Sequence, residues 1–332
     1  MSLWEKDKEE FYIRHLAKNR APRLPQETFM AIGSSFDAYA KSSLISKLYG
    51  KPEPKYEFQT IFEAQVEPHN RDWALAEGQY VFECYVHTGA YDELLRELEQ
   101  SLEPPRFEFS VDGVIGGVPF TGKPDCRFVH RLGIPVILDW KLKGYCSKYG
   151  ASPSKGYALC RDGYDAIKLG IDKTKKNPEG KQSKSHNTSH ENYLAYDHRG
   201  LTINSGYLEG CNSEYADQCS MYGWLLGEKV GDEDVVCCID EIVCKYMGED
   251  TRPLLRVANH RARVKGEYQF KLLERAQSCW NAITSGHIFP EFTKEESDAR
   301  CEVLDEMSVG LQSSGTDLDN WFNEIARPRF RR

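Results

Sequence analysis

Apolar positions in the first hundred residues recur at helical spacing. In "QETFMAIGSSFDAYAKSSLISKLYG", Phe29, Ile32, Phe36, Tyr39 and Leu44 follow one another roughly every third or fourth residue until Gly50 and Pro52 intervene, which predicts a long helix. "EKDKEEFYIRHLAKN", "RDWALAEGQYVFECYV" and "GAYDELLRELEQSL" predict three more, the last ended by Pro104 and Pro105. The period then changes. "RFEFSVDGV", "GGVPFTG", "DCRFVHR" and "PVILDWKLK" are short β-branched or aromatic runs broken by Gly and Pro, the pattern of a strand meander. Helical spacing returns at "SEYADQCSMYGWLLGEKV". Strands are expected at "DVVCCIDEIVCKYM" and "PLLRVANHRARV", then helices at "GEYQFKLLERAQSCWNAITSG" and near "KEESDARCEVLDEM". Helices, a sheet, a crossing helix and further strands predict an α/β fold with a central mixed β-sheet flanked by helices.

One segment breaks both periods. Residues 146 to 213 are rich in Ser, Lys, Gly, Asn and Tyr, as expected of a functional loop or insertion. With 332 residues, 40 % of them hydrophobic, the chain can bury a sizeable core. The expectation is a single decorated domain over 1–332, with its core at about 28–145 and 214–290, the polar insertion at about 146–213, and a C-terminal helix and tail at 291–332. The charged N-terminal stretch and the absence of a long apolar run predict a cytoplasmic protein without a membrane span. Eleven scattered cysteines without CxxC pairs fit reduced thiols better than a disulfide framework.

Charge is unevenly spread. The net charge is −8, yet Lys141 to His186 holds eleven Lys and Arg against four Asp and Glu. A lysine-rich solvated insertion and a wall that grips a polyanion are equally good accounts of that surplus. The second needs only local phosphate contacts, from Lys143, Lys148, Lys155 and Arg161, with Tyr145, Tyr149 and Tyr157 placed between cations to stack on unpaired bases.

The chemistry concentrates in "TGKPDCRFVHRLGIPVILDWKLKGY", residues 121 to 145. Strand side chains alternate faces, so Asp139 and Lys141 share one side and Leu138 and Trp140 the other. A hairpin turn near Arg131, Leu132 and Gly133 places Asp125 opposite Asp139, within about 5–7 Å of the same point. An Asp and a Lys on an amphipathic strand are ordinarily a solvated pair. "IPVILDWKL" is almost continuously apolar, however, as in a strand covered on both faces, where charges are costly unless paired or bound to a metal. A divalent cation between two such carboxylates suits Mg²⁺, with its hard oxygen ligands. Lys141 beside it could position or deprotonate a water, or stabilise charge on a phosphate.

Gly-x-Pro-Asp, a gap, and an apolar run ending Asp-x-Lys resemble the signature of the PD-(D/E)XK nuclease superfamily. Two further motifs are similar to its RecB-type and phage-exonuclease branch. "GSSFD", Gly33 to Asp37, stands where that branch has Gly-Thr-x-x-His, with Asp37 in place of the metal-binding His. "QCSMY" supplies Gln218 and Tyr222 for its Gln-x-x-x-Tyr motif, on one helical face. The resemblance implies a restriction-endonuclease-like core and a Mg²⁺-dependent deoxyribonuclease for which Mn²⁺ substitutes. Asp37, Asp125, Asp139 and the carbonyl of Trp140 would be the metal ligands, Lys141 would act on water or phosphate, and Gln218 and Tyr222 would orient the site. It further implies an exonuclease on double-stranded DNA, a single-strand-annealing recombination protein as partner, and a homo-oligomeric ring. An endonuclease on the same fold, or a nucleic-acid-binding protein without cleavage, stands as the alternative. Glu77, Glu83 and Glu108 are further acids for the metal shell, Glu108 the best placed. Some relatives hold an iron–sulfur cluster through a late group of three cysteines; Cys279 and Cys301 do not make such a group, so no cluster is expected. His186 and His190 have zinc-like spacing, but within a polar loop.

Overall fold

The run "PVILDWKLK" forms a nine-residue strand, Pro135–Lys143, in which the five residues from Val136 to Trp140 are all buried. It lies at the centre of a sheet in the computed structural model, which describes residues 2–20, 25–147, 159–160, 195–198, 201–204, 207–246, 248 and 252–314. In chain order the helices are α1 (Ser2–Lys6), α2 (Lys8–His15), α3 (Thr28–Tyr49), α4 (Phe58–Gln65), α5 (Arg71–His87), α6 (Ala90–Glu99), α7 (Leu208–Cys211), α8 (Ser213–Leu225), α9 (Gly266–Ser285) and α10 (Lys294–Ser314). The strands are β1 (Arg106–Phe107), β2 (Val111–Ile115), β3 (Val118–Gly122), β4 (Cys126–Val129), β5 (Pro135–Lys143), β6 (Leu159–Cys160), β7 (Ala195–His198), β8 (Leu201–Asn204), β9 (Val236–Lys245) and β10 (Leu254–Ala262).

The main sheet is ordered β1-β4-β5-β9-β10-β6. It is mixed, because β5 and β9 run parallel while the other pairs are antiparallel. A parallel pair needs a long crossover, and here the crossover carries the polar insertion and α8. The β4–β5 hairpin pairs Cys126 with Leu138 and Val129 with Pro135, the register expected from a turn at 131–133. Gly133 adopts φ +78° in that turn, a conformation open to glycine at little cost.

Both faces of the sheet are covered. Val136, Leu138 and Trp140 of β5 and Val236, Cys238, Ile242 and Cys244 of β9 pack with Ile32, Phe36 and Leu44 of α3 and with residues of α5 and α6. The alternate residues Cys237 and Ile239 face Leu208, Tyr215, Ala216 and Cys219 of α7 and α8. The described architecture is therefore α/β, a mixed sheet flanked by helices. Cys84, Cys126, Cys219, Cys237, Cys238 and Cys244 are buried and not joined in disulfides. Among the described residues no helix is long and apolar enough to cross a membrane.

Chain contacts define two compact units. Met1–Pro25, Val114–Pro119 and Phe270–Arg332 make the first, Gln26–Gly113 and Phe120–Gln269 the second. The first has its own core of Trp4, Tyr12, Ile13, Cys279, Ile288, Phe289 and Leu304. The second holds the sheet and every site residue discussed below.

Three local expectations differ from the structure. The run "RFEFSVDGV" is not one strand: β1 ends at Phe107, Glu108 turns into the left-handed region at φ +46°, and β2 pairs with β3 in a separate ribbon. Phe29, counted on the apolar face of α3, is 53 % exposed. The helix α4, which buries Ile61 and Phe62, was not anticipated.

Candidate active site

Asp139 and Lys141 leave β5 on the face opposite Leu138 and Trp140, and their side chains form an ion pair. Asp125 precedes β4 and reaches across the hairpin, where its Oδ2 accepts the Trp140 backbone N–H at 3.0 Å. The carboxyl groups of Asp125 and Asp139 are close enough to shift one another's protonation in opposite directions. Burial and the charge of Asp125 push Asp139 well above the ordinary carboxylate range, against the pull of Lys141. Asp125 moves the other way. Burial would raise it, but Lys41, the Asp139 side chain, the Trp140 N–H and Lys141 together hold it below its usual value.

The other oxygen of Asp125 faces a cation from a different element. Lys41 of α3 is 3 % exposed on its side chain. Its ammonium donates to Asp37 Oδ2 at 2.6 Å, Glu108 Oε2 at 2.6 Å and Asp125 Oδ1 at 3.1 Å. Gln65, the last residue of α4, donates from Nε2 to Asp37 Oδ2 at 3.1 Å and to Glu108 Oε1 at 2.9 Å. The exposed Lys123 also pairs with Glu108. Burial lowers Lys41, but Asp125, Asp37 and Glu108 more than offset this and hold it raised. Asp37 is raised to about 7, by burial and by the charge of Asp125, with Lys41 opposing. Glu108, which burial would raise, is instead lowered by Lys41 and Lys123. Its left-handed backbone is the kind of conformation that surrounding contacts must hold in place; here they include its N–H donating to the Asp125 carbonyl at 3.1 Å.

Gln218 and Tyr222 share one face of α8, Gln218 Nε2 donating to the Tyr222 hydroxyl at 2.8 Å. The hydroxyl in turn reaches the Lys123 carbonyl at 3.3 Å. Tyr222 is raised by burial, with Gln218 lowering it and the charges of Asp139 and Asp125 adding to the rise, so the ring belongs to the same site. Its room comes from Gly122, where a Cβ would lie 2.7 Å from Tyr222 Cε1.

Other expected residues lie elsewhere. Only the backbone of Trp140 reaches the carboxylates; its indole N–H donates at 3.3 Å to Tyr85 on the opposite face of the sheet. Lys143 pairs with Glu241 at 2.9 Å and lies 4.7 Å over the Tyr215 ring. Glu77 accepts from Tyr145 and from Arg252, and the exposed Glu83 from Gln79 at 2.8 Å. Lys148, Lys155, Arg161, Tyr149, Tyr157, His186 and His190 lie outside the described residues.

Lys41 and Gln65 were not anticipated. Lys41 follows Ala38 by three residues and precedes Ile45 by four, and both neighbours are buried, so the fold and not the sequence sets it inside. For Gln65 the signal is the spacing of Phe58, Ile61 and Phe62 before Pro68, which marks a helix ending at that glutamine.

Among the described residues no three potential ligands surround a common vacant point as a ready metal cage; three carboxylates surround Lys41 instead. Three buried oxygens of these residues nonetheless lack a hydrogen-bond donor, Asp37 Oδ1, Gln65 Oε1 and Asp139 Oδ2, the last holding only its ion pair to Lys141. Asp139 with the adjacent Asp125 offers the hard carboxylate oxygens that a divalent cation takes.

No protein-family model and no curated protein matches the chain. One solved structure, titled "Crystal structure of SSO0001", is 11 % identical across 83 % of this chain and 84 % of that chain, with a TM-score of 0.23. A likeness that slight carries no argument.

Proposed function

We propose that this protein is a metal-dependent deoxyribonuclease that hydrolyses phosphodiester bonds, acting on double-stranded DNA ends as an exonuclease of the PD-(D/E)XK type. The observation that carries the reading is the meeting of Asp125, Asp139, Lys141 and Tyr222, from segments nearly a hundred residues apart, on one covered face of the sheet. A structural core gains nothing from two adjacent buried carboxyl groups, whereas a metal-assisted hydrolase needs them.

In this reading Asp125, Asp139 and the carbonyl of Trp140 hold a Mg²⁺ or Mn²⁺ ion. Bound there, the ion would polarise the phosphate and lower the pKa of its water. Burial lowers Lys141, but Asp139 more than offsets that and holds it raised, so its ammonium stays charged at neutral pH. It stabilises negative charge on the phosphate rather than taking a proton. Tyr222, steadied by Gln218, borders the same face and orients the substrate.

The test is incubation of linear and covalently closed duplex DNA with Mg²⁺, Mn²⁺ or EDTA. Cleavage of the linear form alone, lost in EDTA and reduced at least about a thousandfold in Lys141→Ala and Asp139→Ala, is the expected result. Equal activity in the variants would sink the assignment, and cutting of closed circles would favour an endonuclease. A second reading, nucleic-acid binding without cleavage, draws on Lys41, whose ammonium already satisfies three of the acids. Retained DNA binding with no cleavage under any ion would establish it.

A further inference from the structure

The nuclease signature accounts for Asp125, Asp139 and Lys141 but not for the cation buried beside them. A lysine ammonium has three N–H donors and no acceptor. All three are used by Asp37, Glu108 and Asp125, at 2.6, 2.6 and 3.1 Å. With its side chain 3 % exposed, Lys41 has neither a free donor nor a path to an incoming phosphate. Lys141 and Lys123 differ in this respect, being 27 % and 53 % exposed. Lys41 therefore acts on the site and not on the substrate.

Charge balance shows what that action is. The site gathers four carboxyl groups, Asp37, Glu108, Asp125 and Asp139. The Lys41 and Lys141 ammonium groups with one divalent ion neutralise all four, while the exposed Lys123 and an incoming phosphodiester add one charge of each sign. A second divalent ion would leave the site two charges in excess, and among Asp37, Glu108 and Asp125 it would meet an ammonium already seated on the same oxygens. Asp125 divides its two oxygens accordingly, Oδ1 to Lys41 and Oδ2 toward the Trp140 N–H and Asp139.

Building on the metal-dependent reading above, we propose that Lys41 is a built-in cation of the site: its ammonium takes the place of a second divalent ion between Asp37, Glu108 and Asp125, so the protein binds one ion, at Asp125 and Asp139. Asp37 is then a positioning residue for Lys41 and not a metal ligand. Gln65, donating to both Asp37 and Glu108, keeps the two acids turned toward the ammonium.

The experiment counts ions. The full chain, stripped with EDTA and dialysed, is titrated with Mn²⁺ and followed by calorimetry and by the spin resonance of free Mn²⁺. The wild type is expected to bind one ion per chain. Lys41→Met, which keeps length and loses charge, is expected to bind two. Asp139→Asn should weaken the wild-type ion at least about tenfold, whereas Asp37→Asn and Glu108→Gln should leave the count at one. Two ions in the wild type, or one ion in a folded Lys41→Met, overturns the proposal. Lys41→Gln replaces the methionine variant if circular dichroism shows that variant unfolded, and the wild-type count with Asp37→Asn decides the matter even if neither folds. Two ions together with DNA cleavage defeats this inference alone. No ion bound defeats both readings, and one ion without cleavage of any nucleic acid defeats only the nuclease.

Discussion

Asp37 gives the metal-free protein a pH dependence that can be worked from the structure. Burial and the neighbouring Asp125 raise its carboxyl from 3.8 to about 7, although Lys41 and Gln65 both touch it. A carboxyl raised on folding stabilises the folded state fully below its unfolded value, and the stabilisation is lost as pH climbs through the folded value. The window here therefore runs from about pH 4 to about pH 7. Across it, the ionising group costs about 4 kcal/mol at most. Because Asp125 shares the repulsion, we expect Asp37→Asn to recover about 2–4 kcal/mol at pH 8 and little at pH 5. Urea unfolding in EDTA at pH 5, 6, 7 and 8 measures this directly. The wild type should lose stability across that series faster than the variant. Parallel profiles, or a variant less stable than wild type at pH 8, would refute the reasoning, because either would mean that Lys41 already compensates Asp37 in full.

On the proposed metal-dependent reading, Mg²⁺ competes with protons for Asp139, whose carboxyl burial and Asp125 hold above the ordinary range, so the rise in melting temperature on adding Mg²⁺ should be larger at pH 8 than at pH 5.5 and absent in Asp139→Asn. A pH-independent rise would place the ion elsewhere. A Cβ on Gly78 would lie 2.2 Å from Ser35 Oγ and 2.5 Å from Ser35 Cβ, so Gly78→Ala should destabilise by about 1–3 kcal/mol despite better helix propensity. Adding Ser35→Gly should recover part of that in chemical denaturation, and strict additivity of the two changes would count against the close packing of α3 on α5. Tyr85→Phe removes a hydroxyl that donates to buried Asp240 and accepts from the Trp140 indole; the expected cost is about 1–3 kcal/mol in a denaturant titration, and a loss under about 0.5 kcal/mol would show that neighbours satisfy both groups.

The central strands were legible because burial on both faces demands nearly continuous apolar sequence, and "PVILDWKLK" and "VVCCIDEIV" supply it around a few charges. The hairpin register followed from one turn at 131–133, since a strand pair once nucleated repeats its spacing. The run around Glu108 misled for a local reason. Its alternation is that of a strand, and only contacts distant in sequence, Lys41, Gln65 and the Asp125 carbonyl, hold Glu108 at positive φ. The short helix α4 was passed over because a single apolar pair, Ile61 and Phe62, is all that it buries.

The same asymmetry explains the site. Asp139 and Lys141 announced themselves as charges in a nearly apolar strand, where burial is costly without a partner, and the hairpin register brought Asp125 to them. A lysine four residues after an aspartate on a helix carries no such signal, because that spacing is also the commonest solvated pair. Only the fold distinguishes the cases, by bringing Glu108 and Asp125 onto the ammonium that Asp37 already holds. Three acids around one lysine cannot be an ornament of the surface, since each would repel the others if the cation left. The strand acids and the helix lysine thus act as one electrostatic unit, with the two oxygens of Asp125 as the joint between them. On the proposed reading, a substitution on α3 should therefore alter ion binding at Asp125 and Asp139 without touching either carboxylate.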